Sequence, residues 1–131
     1  MIYVDDKSVD ENDFLKLLEQ TKTSLLGDLI TPKGKELSGD WFEDRVFERM
    51  LIVSNGTNFE GHIIKTGVHA FPDIIAKEFY GVEVKMTIGN KWVSTGNSIT
   101  ESSRSSKVET IYMFFGKFGS SLEIKYRKYH E

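Results

Sequence analysis

The run FPDIIAKEFYGVEVKMT, Phe71 to Thr87, limits the fold more tightly than any other part of the chain. It falls in two strand-like stretches, Val68 to Ala76 and Phe79 to Thr87, joined by a connection around Lys77 and Glu78 that is too short for anything but an antiparallel turn. Side chains alternate across a strand, so Val82, Val84 and Met86 share one face while Gly81, Glu83, Lys85 and Thr87 share the other. The apolar set is expected to face the core. Asp73 and Glu83 then lie on neighbouring strands within reach of one cation, with Lys85 two residues further on. Two like charges at that separation repel, and a divalent metal reverses the repulsion. A solvated sheet face accounts for the same spacing, and Pro72 fits an edge or a bulge equally well because proline cannot donate to the ladder.

The rest of the chain supplies layers for such a sheet. From Asp10, an N-cap residue type, Phe14, Leu17, Leu18, Thr21 and Leu25 recur at helical spacing, which predicts a helix to about Leu26. Thr31 to Gly39 is turn chemistry. A second helix is predicted from Trp41 to about Val53, with Asp40 as N-cap and Asn55-Gly56 as its stop. Phe42, Val46, Phe47, Met50 and Leu51 form its apolar arc, and Glu43 falls near the middle of that arc while Glu48 points roughly 140° away. An inward carboxylate needs a partner. Asp40-x-x-Glu43 also has capping-box spacing, in which Glu43 would only bond back to the helix start.

Phe59 to Lys65 reads as a strand that completes a small antiparallel meander. Ser98 to Glu101 has capping-box form and opens a short helix through about Lys107; ETIYMFFGKF and SSLEIKYRKY then alternate as two strands around Gly119-Ser120. Helices and strands mix, so the chain is α/β or α+β; α/β with a central mixed β-sheet flanked by helices is the reading adopted. His62 and His69 lie in apolar strand runs and read as structural, and His130 is uninformative.

At 131 residues the chain has the length of one domain, residues 1–131. No apolar run reaches the roughly 18 residues that a bilayer crossing requires, and MIYVDDKSVDEN lacks the basic start and apolar stretch of a signal peptide. The expectation is a cytoplasmic protein with no membrane partner. Without cysteine, any metal must be held by carboxylate, carbonyl or histidine, and carboxylates favour magnesium, manganese or calcium. Net charge is −3, but residues 1–60 hold 13 acids against 7 bases while residues 61–131 hold 7 against 10. The second half is therefore the face expected to meet a nucleic acid.

Pro72-Asp73, nine intervening residues and Glu83-Val84-Lys85 together resemble the PD-(D/E)xK nuclease motif, with Glu43 in the place of the upstream helix glutamate. Lys85 to Arg104, KMTIGNKWVSTGNSITESSR, followed by the strand IYMFFGKFG, resembles a branch of bacterial type II restriction endonucleases. The resemblance covers about residues 38–130 and leaves 1–30 as an N-terminal helical segment. It implies a restriction-endonuclease-like core and a magnesium-dependent endodeoxyribonuclease acting on double-stranded DNA, with Mn2+ able to replace Mg2+. Asp73, Glu83 and Glu43 would hold metal, and Lys85 would orient or deprotonate the attacking water. Thr87, Trp92, Ser94, Thr95, Asn97, Ser98, Arg104 and Lys107 would contact DNA, and a homodimer would supply two active sites. A junction-resolving or repair nuclease and a non-catalytic DNA-binding module are the alternatives. The length suggests a minimal domain or a truncated piece of a longer enzyme.

Overall fold

A computed structural model describes residues 9–67, 70–90 and 108–129. Its first helix starts from a reciprocal cap: the Asp10 carboxylate accepts the Asp13 N–H at 2.9 Å, and the Asp13 carboxylate accepts the Asp10 N–H at 3.1 Å. Helix α1 (Glu11–Asp28) then buries Phe14, Leu17, Leu18, Thr21 and Leu25, the five positions that periodicity selects. Burying Thr21 leaves no orphan, because its hydroxyl donates to the Leu17 carbonyl at 2.8 Å.

Helix α2 (Gly39–Val53) begins one turn-fraction earlier than Asp40 suggests. Ser38 is extended and its hydroxyl accepts the Trp41 N–H at 3.2 Å, so the cap is Ser38 and Asp40 lies inside the first turn. Both residues are good cap acceptors, and the chain uses the one that the preceding 3-10 turn, Gly34–Glu36, leaves extended. A capping box between Asp40 and Glu43 is thereby excluded. Phe42, Val46 and Met50 are buried as expected, but Leu51 is on the exposed side.

Among the described residues five strands form one mixed sheet in chain order: β1 (Ile63–Lys65), β2 (Ile74–Ala76), β3 (Tyr80–Ile88), β4 (Thr110–Phe118) and β5 (Leu122–Lys128). β1–β2, β2–β3 and β4–β5 are antiparallel and β3–β4 is parallel, which makes the protein α/β with two α-helices among the described residues. β1 and β2 are shorter than the apolar runs suggest. Phe59 enters the core from a turn, closed by the His62 N–H donating to its carbonyl at 2.9 Å, and His62 itself is exposed rather than structural. His69, His130, the expected helix to Lys107 and all of the segment 91–107 lie outside the described residues.

Both helices cover one face of the sheet. Phe14, Leu18, Phe42, Val46 and Met50 pack there against Val82, Phe114, Phe118 and Ile124, each buried Leu or Phe contributing roughly 1.5–3 kcal/mol. The Phe42 ring lies so close to Gly116 that a Cβ there would come within 2.6 Å of it. Tyr112 and Tyr126 donate to Glu11 and Glu19 of α1, each at 2.6 Å, and Arg49 of α2 bonds Ser24 and Asp28 of α1. A second apolar cluster, Phe71, Ile75, Val108 and Ile111, occupies the other face. β3 is the middle strand and is covered on both sides from Gly81 to Val84, so Glu83 is not on a solvated face. Among the described residues no helix is long and apolar enough to cross a membrane.

Candidate active site

Register decides which polar side chains meet. β2 and β3 pair Ile74 with Val82, so Asp73, the residue preceding β2, stands level with Glu83. The Val84 N–H donates to Asp73 Oδ2 at 2.8 Å, which fixes that carboxylate over β3. The segment carrying Asp73 is held from the other side by Thr66: its N–H donates to the Asp73 carbonyl at 2.9 Å, and its hydroxyl donates to the Pro72 carbonyl at 2.7 Å. Gly81 is what lets Pro72 lie flat on β3, since a Cβ there would be driven into the proline ring.

Glu83 is only 6% exposed. Lys85 Nζ lies 3.1 Å from its Oε2, its carboxyl stands within hydrogen-bonding reach of the Asp73 carboxyl, and its Oε1 is buried with no donor among the described residues when both carboxyls are ionised. A buried carboxylate oxygen without a donor is costly and uncommon. Burial raises Glu83 above the usual carboxylate range against the pull of Lys85. Burial, and then the Glu83 charge, push Asp73 up to about 7.

Glu43 comes from α2. It is half-buried, and burial followed by the Asp73 charge pushes it up to about 7 although Lys65 opposes the shift. Lys65, the last residue of β1, is ion-paired to Asp44 and lies 3.7 Å from Glu43 Oε2. Glu48 is exposed and pairs with Arg45 at 2.7 Å, on a different side of the helix. The structure thus brings Asp73, Glu83 and Lys85 together, with Glu43 near enough to feel Asp73. Thr87 is half-buried on the same strand parity as Glu83 and Lys85, opposite Lys117. Trp92, Ser94, Thr95, Asn97, Ser98, Arg104 and Lys107 lie outside the described residues.

With every group ionised, five carboxylates, Asp40, Glu43, Asp44, Asp73 and Glu83, stand against two ammonium groups, Lys65 and Lys85, a local balance of −3. Hard oxygen donors in deficit of positive charge suit a divalent cation such as Mg2+ or Mn2+. The unpartnered Glu83 Oε1 and the Asp73 carboxylate are the atoms that fit it. Among the described residues no three His, Asp or Glu side chains are gathered in a way that could hold a metal ion.

Sequence reasoning missed Lys65, Thr66 and Gly81. Each acts through a partner distant in the chain, and only an alternation that leaves Gly81 facing Pro72 could have signalled one of them. Compared with protein-family models, curated proteins and solved structures, the chain matches none.

Proposed function

We propose that the protein is a metal-dependent endonuclease of the PD-(D/E)xK type that hydrolyses phosphodiester bonds in double-stranded DNA. The observation that carries this reading is Glu83: a buried carboxylate on the middle strand, level with Asp73, paired to Lys85 through one oxygen and without a partner on the other. The helix, antiparallel meander and parallel β3–β4 pairing that surround it agree with a restriction-endonuclease-like core.

In this reading Asp73 and Glu83 hold the cation. The chemistry that a bound Mg2+ supplies is neutralisation of charge at the scissile phosphate and the leaving oxygen. Lys85 donates hydrogen bonds that hold the attacking water in line with the phosphorus–oxygen bond to be broken. Pairing with Glu83 keeps that ammonium beside the ligands, so the water and the phosphate meet in a fixed arrangement. Glu43, from the helix side, accepts from water at the edge of the centre.

The test is nicking of supercoiled plasmid at low salt with and without Mg2+. Wild type is expected to nick only with Mg2+, Asp73→Asn to be inactive by at least ~10²-fold, and Glu48→Gln to match wild type. Lys85→Ala is expected to lose turnover while still binding Mn2+, because the cation keeps both carboxylates. Equal activity of Asp73→Asn and wild type would remove the proposal. One other reading is a DNA-binding module without catalysis, since among the described residues no three metal-ligating side chains are gathered. Mg2+-independent DNA binding with no nicking would select it.

A further inference from the structure

Lys65 is the one cation described beside this centre that the reaction above does not use. It ends the three-residue edge strand β1, pairs in register with Ile74, and so sits one strand away from the residue that precedes Ile74, Asp73. Its ammonium reaches α2, where it is ion-paired to Asp44 and lies 3.7 Å from Glu43 Oε2. Glu43 therefore has four charged neighbours: Asp73, Asp40 and Asp44, which repel it, and Lys65, the one cation among them, which attracts it. A second divalent cation bound at Glu43 would compete with the ammonium for the charge of that carboxylate. Glu83 presents the contrasting case. Its Oε1 is buried, 6% of the residue is exposed, and no described ammonium or N–H reaches that oxygen.

Resting on the nuclease reading, we propose that Lys65 acts as a tethered cation at Glu43 and restricts the centre to one divalent ion, held by Asp73 and Glu83. The pairing is chemically reasonable because an ammonium on a four-carbon stem supplies one positive charge and N–H donors at fixed position, without coordination geometry to satisfy. It neutralises Glu43 incompletely, which leaves that carboxylate able to hold water but in no need of a metal. Lys65 is a positioning residue here, since the groups it reaches are Glu43 and Asp44.

The reading can be separated from the nuclease proposal by counting ions. Mn2+ is titrated into the full chain at pH 8, and free Mn2+ is read from its solution resonance signal, for wild type, Lys65→Ala, Lys65→Gln, Lys65→Arg, Asp73→Asn and Lys65→Ala/Glu43→Gln. Wild type is expected to bind one ion, lost in Asp73→Asn. Lys65→Ala and Lys65→Gln are expected to bind two, Lys65→Arg one, and the double variant one again. Lys65 is exposed, so its single variants are expected to fold, and far-ultraviolet dichroism checks every variant. One ion in both neutral variants overturns the role of Lys65 while leaving the Asp73–Glu83 site intact, and two ions in wild type overturn it as well. No ion in wild type with one in Lys65→Ala overturns the one-ion centre proposed here, because Asp73 and Glu83 then hold none. No ion in any variant removes both.

Discussion

Asp73 and Glu43 hold their protons to about pH 7, the first through burial and then Glu83, the second through burial and then Asp73. Their ordinary values are 3.8 and 4.5, so between about pH 4 and pH 7 the folded protein binds protons that the unfolded chain has released. Stability then falls as pH rises through that window, because the slope follows the protons bound in the unfolded state minus those in the native one. The metal-free protein is expected to show a lower urea midpoint at pH 8 than at pH 5. Asp73→Asn should flatten that dependence and raise the midpoint at pH 8, and Mg2+ should raise the wild-type midpoint at pH 8 while doing little to the variant. Urea denaturation at the two pH values, with and without Mg2+, measures all of this; equal slopes for wild type and variant would mean that the Asp73 carboxylate is not strained by its neighbours. Metal binding must displace the Asp73 proton, so Mn2+ affinity should climb with pH up to about 7 and then level.

At the level of elements, the site depends on how closely β3 takes the segment before β2. A Cβ at Gly81 would collide with the Pro72 ring and come within 3.2 Å of Val108 Cγ1, a crowding that the packed second cluster cannot relieve freely. Gly81→Ala is expected to cost about 1–3 kcal/mol in urea denaturation. It should also weaken Mn2+ binding, because Pro72 carries Asp73 with it when it moves. Gly67→Ala, with open space around it, is the control and should change neither. A Gly81→Ala protein with wild-type stability and Mn2+ affinity would show that Pro72 can move without Asp73.

Elements also show what could be read in advance. The five buried positions of α1 were legible because a 3.6-residue period needs no partner to reveal it. β4 and β5 were legible from alternation around Gly119-Ser120, and the meeting of Asp73 with Glu83 followed from the short connection between their strands. The start of α2 was not, because Ser38 and Asp40 are both competent caps and the choice belongs to the turn before them. Nor were the lengths of β1 and β2, which end where pairing partners end rather than where apolar residues do. Lys65 was invisible for the same reason: its meaning comes from α2 crossing β1, a contact between residues 21 positions apart.

Taken as a whole molecule, the fold places a buried, incompletely paired carboxylate on its middle strand. Two helices close one face of the sheet, a smaller apolar cluster closes part of the other, and the middle strand between them carries Glu83. A protein selected only for stability gains nothing from a buried, half-satisfied carboxylate there, whereas one that takes up a cation at Glu83 and Asp73 removes the conflict on binding. The role of Glu83 can be seen directly in crystals soaked with Mn2+ and measured at a wavelength where manganese scatters anomalously. The expected result is one anomalous peak between the Asp73 carboxylate and Glu83 Oε1, absent from Asp73→Asn crystals soaked in the same way. A map with no peak at that position, or the same peak in the variant, would contradict the assignment of this carboxylate pair as a metal centre.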